Sequence, residues 1–163
     1  MQRSALLPLA LCLAVASPAA LARDDDKLGC IGQYKFRQKG TEVDTTHYRF
    51  RNYNDNRTLT VTSITIYAFD GSTVAAFSGN DFPAGFNPVL GPHQATGFNL
   101  EDVFGGTQAP GDEGHLQTIV TWQGEGGSPL DVHAGRVTRQ RDPATGNQGE
   151  TRARAIRQCV PVK

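Results

Sequence analysis

The densest run of β-branched and aromatic residues lies between Thr58 and Gly71, with the sequence TLTVTSITIYAFDG. It carries no charge before Asp70 and ends at an Asp-Gly pair, which is a frequent hairpin turn. Residues of these types are enriched in strands because their side chains pack well on a pleated, half-buried surface. The run therefore predicts a central β-strand that is followed by a tight turn.

The apolar residues change phase inside this run. Leu59 and Val61 have odd numbers, whereas Ile64 and Ile66 have even numbers. Successive side chains of a strand point to opposite faces, so a change of parity indicates one extra residue. We expect a β-bulge, or a crossing from one sheet to another, at Thr62-Ser63.

Similar alternating segments recur along the chain, separated by turns rich in Gly, Pro, Asn and Asp. They are residues 31–38, 45–53, 72–77, 94–100, 115–123, 130–140 and 150–160. Helical periodicity is almost absent, apart from one predicted turn at 101–104. The pattern is typical of an all-β, antiparallel β-sandwich of about seven to eight strands. A partly open barrel is the alternative.

The first 22 residues have the features of a secretory signal peptide. Arg3 precedes an apolar run from Ala5 to Ala16, and small residues lead to a cleavage site after Ala22. The run is too short to span a bilayer comfortably, although an uncleaved anchor is the alternative. We expect a signal peptide at 1–22, a polar leader at 23–29 and one β-sandwich domain at 30–163. This predicts a periplasmic or secreted protein without a membrane span after cleavage.

Two cysteines remain after this cleavage, Cys30 and Cys159, near the two ends of the chain. Neither has a catalytic motif around it, and cysteines of an exported protein are expected to pair. A bridge that closes so long a loop stabilises by about 4–5 kcal/mol in the chain-entropy model. The sequence therefore predicts that a Cys30–Cys159 disulfide closes the sandwich.

Positive charge is concentrated near the end of the sequence. Residues 132–163 contain six arginines and one lysine against two acidic residues, although the whole chain is balanced at 16 basic and 16 acidic residues. Such asymmetry indicates an electrostatic face. The predicted basic face comprises Lys35, Arg37, Arg49, Arg51, Arg136, Arg152 and Arg154.

Guanidinium groups offer forked donors that match phosphate, sulfate and carboxylate. The basic face therefore predicts an anionic glycan or a negatively charged protein as the partner. Nucleic acid is disfavoured by the compartment and by the balanced total charge. The alternative is that these side chains only solvate a sheet and protect its edges.

No motif in the sequence marks a catalytic or metal site. The four histidines, His47, His93, His115 and His133, lack the spacing of metal ligands, and no Gly-x-Ser-x-Gly elbow is present. The acidic pairs Glu101-Asp102 and Asp112-Glu113 lack a calcium-loop pattern. We therefore expect a non-enzymatic binding or structural module without a cofactor. A self-assembling subunit, or a hydrolase or metal-dependent enzyme that uses these histidines and carboxylates, is the alternative.

Three phenylalanines, Phe77, Phe82 and Phe86, lie around a loop that is rich in Gly and Pro. Aromatic residues at a loop tip can bind a sugar or a protein partner. The alternative, which we favour, is that these rings fold back and fill one end of the sandwich.

The segments THYRFRNYNDNRTLTVTSITIYAFDG, LGPHQATGFNL and HLQTIVTW resemble the small β-sandwich domains of the sensory-rhodopsin-transducer type. The resemblance covers the middle half of the chain and implies a sandwich fold. Those domains are cytosolic, whereas this chain carries an export signal and a predicted disulfide. The resemblance therefore implies no residue role and no activity here.

Overall fold

The structure is a computed structural model that describes residues 26–37, 41–105, 114–124, 128–142, 144–145 and 148–162. The predicted signal peptide at 1–22 and residues 23–25 of the predicted leader lie outside the described residues. The first strand begins at Lys27, so residues 27–29 of the predicted leader belong to a sheet.

The described residues form eleven strands and one short helix. Eight of these strands have at least five residues, which agrees with the predicted strand number. The elements are β1 Lys27–Gln33, β2 Lys35–Arg37, β3 Glu42–Arg51, β4 Leu59–Ala68, β5 Thr73–Ser78, β6 Val89–Leu90, β7 Ala95–Asn99, α1 Leu100–Phe104, β8 His115–Gly124, β9 Asp131–Arg141, β10 Gln148–Gln158 and β11 Val160–Pro161.

The strands form two antiparallel sheets that pack together, which confirms the predicted β-sandwich. The first sheet has the order β11-β1-β8-β4-β5, and β6 also pairs with β4. The second sheet has the order β10-β9-β3-β2, and β7 also pairs with β3. The central run of the sequence is β4, which lies between β8 and β5 as an interior strand.

The predicted phase change in β4 is also confirmed. The pairing of β4 with β8 shifts register between Val61 and Ser63, so Thr62 is the extra residue. Leu59, Val61, Ile64 and Ile66 are all buried as a result. The bulge lets both halves of the strand turn their apolar side chains toward the second sheet.

The core lies between the sheets, and the phenylalanine loop closes one end of it. Phe86 is 8% exposed, and its ring lies 4.9 Å from the ring of Phe50 and 5.3 Å from that of Phe82. Phe77 and Phe82 pack against the same buried cluster. The loop therefore folds back onto the sandwich, as we favoured from the sequence.

The predicted disulfide is present between Cys30 and Cys159, which are 129 residues apart in the sequence. Cys30 lies in β1 of the first sheet, and Cys159 lies where the chain passes from β10 to β11. The bridge therefore ties the first described strand to the point where the chain leaves the second sheet. It fits an oxidising compartment, such as the periplasm or the cell exterior. No helix in the described part of the chain is long and apolar enough to cross a membrane.

Candidate anion-binding surface

Strand β3 directs its side chains alternately to the core and to the solvent. Tyr48 and Phe50 are fully buried, whereas Arg49, which lies between them, is exposed. His47 and Arg51 share the parity of Arg49, so the three side chains project from the outer face of the second sheet. Arg49 and Arg51, two members of the predicted basic face, therefore lie side by side on this outer face.

The strands beside β3 extend this outer face. His47 lies opposite Gly135 of β9, and Gly135 in turn lies opposite Ile156 of β10. Arg49 lies opposite His133 of β9. The outward side chains of β3, β9 and β10 border a recess of about 320 Å³, which we call the outer groove. Its lining residues are His47, Arg49, Arg51, His133, Gly135, Arg136, Val137 and Ile156.

Two glycines without side chains, Gly97 of β7 and Gly135 of β9, flank β3 on its two sides. A Cβ atom on Gly97 would lie 2.5 Å from the carbonyl oxygen of Tyr48 and 3.2 Å from the His47 ring, so this position accepts only glycine. A Cβ on Gly135 would meet nothing closer than 3.7 Å. The open space over Gly135 is therefore the floor of the outer groove, and the imidazole of His47 lies over Gly97.

The outer groove contains two imidazoles, those of His47 and His133, and hydrogen bonds hold the His47 ring in place. Nδ1 of His47 lies 3.0 Å from Oδ1 of Asn99, and Nδ2 of Asn99 donates to Asp102 at 3.2 Å. Because an amide oxygen only accepts, Nδ1 of His47 carries a proton. Asn99 is the residue before α1, so the end of β7 and the start of this helix hold the ring in place.

The second imidazole lies beside a carboxylate. Nε2 of His133 is 2.9 Å from Oδ2 of Asp131, which is mostly buried. Protonation of His133 would complete an ion pair with Asp131, so the charge of this ring is partly balanced from within the protein.

The two arginines of the outer groove differ in their partners. Arg51 donates a hydrogen bond of 2.8 Å to the Tyr53 hydroxyl, and this contact raises the pKa of Arg51 above its usual value. Arg49 makes no hydrogen bond or ion pair with any residue that the structure describes. Its donors therefore face solvent beside the imidazoles of His47 and His133.

Four other residues of the predicted basic face, Lys35, Arg37, Arg136 and Arg152, occupy strand positions of the opposite parity in the same sheet. In the strand registers, Lys35 lies opposite Asp44, and Arg136 lies opposite Thr46. These even-numbered positions of β3 share the parity of Tyr48 and Phe50. Arg37 lies opposite Glu42 and Arg152 lies opposite Thr138, so both share this parity. The side chain of Arg154 lies outside the described part. The structure thus brings Arg49 and Arg51 together and separates them from Lys35, Arg37 and Arg152, whereas Arg136 also lines the outer groove.

Two of those other cations share one buried carboxylate, Asp44, which has no exposed surface. Arg37 lies 2.5 Å from Asp44, and Arg136 donates to it at 2.7 Å. The hydroxyl of Thr138 donates at 2.6 Å. Burial raises the pKa of Asp44, but the hydrogen bonds from Thr138 and Arg136 and the two guanidinium charges outweigh it and lower the pKa below 3.8.

Asp44 was not recognised from the sequence, although its parity marks it. It has the same parity as the buried residues Thr46, Tyr48 and Phe50, so an acidic residue at this position requires an internal cation. Arg37 and Arg136 supply that charge. Both residues therefore have a structural role in addition to any role at the surface.

The histidines do not converge with other metal-binding side chains. His93 is exposed and lies 3.1 Å from Asp55. Within the described ranges, no group of three or more His, Cys, Asp or Glu residues is arranged to hold a metal ion. No protein-family model, curated protein or solved structure matches the chain. The function is therefore argued from the surface itself.

Proposed function

We propose that the protein is an exported, non-enzymatic binding module that recognises an anionic glycan or an anionic protein through the outer groove. The observation that carries this proposal is Arg49, an exposed guanidinium with no partner among the described residues. The disulfide supports export, because such bridges persist in oxidising compartments.

The chemistry of the groove suits an oxyanion. Arg49 offers a planar fork of donors, which matches the two oxygens of a carboxylate, sulfate or phosphate. His47 and His133 flank it and add further donors when they are protonated. Asp131 opposes part of this charge, so Arg49 is the principal anchor.

One side of the groove is apolar. Ile156 is 74% exposed, and Val137 lies beside it in the lining. A ligand that joins an acidic group to a carbon-rich face, as an acidic sugar or an acidic peptide does, would contact both parts. The groove therefore favours a negatively charged polymer with apolar faces over a free inorganic ion.

Retention on immobilised heparin at low salt tests this proposal. We expect the wild-type protein to be retained and to elute at moderate salt, because exposed charge contacts are screened. Arg49→Gln removes the anchoring fork, so its affinity for a soluble heparin fragment should fall about tenfold. Lys27→Gln removes the same charge from an exposed position of the first sheet and serves as the matched control.

Flow-through of the wild-type protein at low salt would contradict the proposal. Equal losses in Arg49→Gln and Lys27→Gln would show that total charge is sufficient and that the groove has no special role. Circular dichroism of each variant confirms that the fold is retained. The alternatives of a self-assembling subunit and of a hydrolase gain no specific support from the described residues.

A further inference from the structure

A second recess lies on the inner side of the second sheet, where the two sheets separate beside β1. We call it the inner cleft, and its volume is about 150 Å³. Its lining residues are Ile31, Gly32, Gln33, Thr46, His115, Ala134, Arg136 and Arg157. Strands β1, β3, β8, β9 and β10 all contribute, so the cleft is built from both sheets.

Arg136 supplies a buried donor to this region. Its register partner is Thr46, another lining residue, so its side chain lies on the cleft side of β9. One terminal nitrogen donates to Asp44 at 2.7 Å. The Nε atom is buried and has no hydrogen-bond partner among the described residues. Buried donors of folded proteins are nearly always paired, so an N–H group of this kind indicates a further acceptor.

A register shift in β10 brings Arg157 to the same cleft. In the register of β10 with β9, Arg152 lies opposite Thr138. The register shifts between Ala153 and Ala155, and after this shift Arg157 lies opposite Ala134. Without the extra residue, the parity of the strand would place Arg157 on the outer face and Ile156 on the inner face. The bulge thus exchanges the faces of Ile156 and Arg157, so that the guanidinium of Arg157 lies at the cleft.

The cleft carries an excess of positive charge. Asp44 is one carboxylate, and two guanidinium groups, those of Arg37 and Arg136, share its single negative charge. Arg157 is exposed and makes no ion pair or hydrogen bond within the described part of the chain. Its charge is therefore available to a ligand.

We propose that the inner cleft is a second anion site, which takes a single oxyanion group between Nε of Arg136 and the guanidinium of Arg157. Its small volume admits one carboxylate, sulfate or phosphate group and excludes a polymer chain. Arg136 lines both recesses, but β9 otherwise contributes His133, Gly135 and Val137 to the outer groove and Ala134 to the inner cleft, so the two recesses lie largely on opposite faces of this strand. The proposal of this second site is therefore tested independently of the proposed function.

Nuclear magnetic resonance of arginine Nε–Hε groups tests this proposal directly. The purified protein is titrated with sodium sulfate and, separately, with sodium acetate, against sodium chloride at matched ionic strength. We expect the Arg136 Nε–Hε resonance to move saturably with sulfate or acetate and not with chloride. Arg157→Gln should weaken this binding about tenfold, because it removes one charge-assisted contact.

Arg49→Gln is the matched control, since it removes a guanidinium from the outer face and should leave the titration unchanged. Arg157→Lys keeps the charge but loses the fork, and it should give an intermediate affinity. It also keeps the test informative if Arg157→Gln does not fold. A response that never saturates, or one that is the same for chloride, would overturn the proposal. An unchanged titration in Arg157→Gln would do so as well.

Discussion

Arg136 donates a hydrogen bond of 2.7 Å to Asp44, a carboxylate that is completely removed from solvent. The pair joins β9 to β3, and Arg37 joins β2 to the same carboxylate. One acidic side chain therefore holds three strands of the second sheet at their charged end.

Replacement of Asp44 by Asn should destabilise the protein strongly. The change keeps the shape of the side chain but removes the fully buried charge with which Arg136, 33% exposed, is paired. Loss of one partner from such a buried pair destabilises by about 3–5 kcal/mol. Urea denaturation measures this difference in the free energy of unfolding.

Asp55→Asn is the control for that experiment, because Asp55 is 92% exposed and, among the described residues, forms an ion pair only with the exposed His93. An ion pair of this kind contributes about 1 kcal/mol or less. Similar free energies of unfolding for the two variants would contradict the structural role assigned to Asp44.

The contribution of Asp44 should also depend on pH. Its pKa in the folded protein lies below 3.8, the value expected in the unfolded chain. The folded state therefore binds the proton less readily, and the contribution is complete above about pH 4 and is lost as the pH falls further. The stability difference between wild type and Asp44→Asn should therefore stay constant from about pH 7 to about pH 4 and shrink as the pH falls further.

Two other carboxylates must be separated from this effect. Hydrogen bonds from Ser72 and Thr145 lower the pKa values of Asp70 and Asp142 in exposed turns. Both groups are present in wild type and in Asp44→Asn, so their contributions cancel in the difference. A difference that stays constant with pH would show that Asp44 keeps an ordinary pKa.

Removal of the disulfide should lower stability in a way that a reductant reproduces. The double variant Cys30→Ser, Cys159→Ser frees a loop of 129 residues. The chain-entropy model gives a loss of about 4–5 kcal/mol. Urea denaturation of the oxidised wild type, the reduced wild type and the double variant measures this loss. The last two should agree, and a double variant as stable as the oxidised protein would contradict the expectation.

The two glycines of the outer face should respond in opposite ways to alanine. Gly97→Ala places a methyl group 2.5 Å from a backbone oxygen, so the strands must separate and stability should fall by about 1–3 kcal/mol. Gly135→Ala meets only ordinary contacts and should stabilise by about 0.5 kcal/mol, since glycine weakens a strand. Thermal unfolding of the pair measures both changes, and equal shifts would show that the close approach at Gly97 is relieved elsewhere.

Much of the fold was predictable, because its signals are local. The run from Thr58 to Gly71 predicted β4, its parity change predicted the bulge at Thr62, and Cys30 and Cys159 predicted the bridge. One helical turn with a glycine cap also follows from residues 101–105, where Gly105 ends α1 with a φ of 57°.

The arrangement of the basic residues was not predictable in the same way. Parity along one strand says which side chains share a face, but the faces of different strands align only through their register. The sequence of β2 does not reveal that Lys35 lies opposite Asp44. The sheet therefore divides Arg49 and Arg51 from Lys35, Arg37 and Arg152, although all five were predicted to share one surface.

Strand β11 returns beside β1, and the backbone N–H of Val162 donates to the carbonyl of Lys27 at 3.1 Å. The described chain thus starts and finishes at neighbouring positions on one sheet edge, while the Asp70-Gly71 turn is fully exposed. Such an arrangement suits circular permutation. A chain opened at that turn and joined by a short linker from Val162 to Lys27 would keep every strand pairing and would present both recesses unchanged.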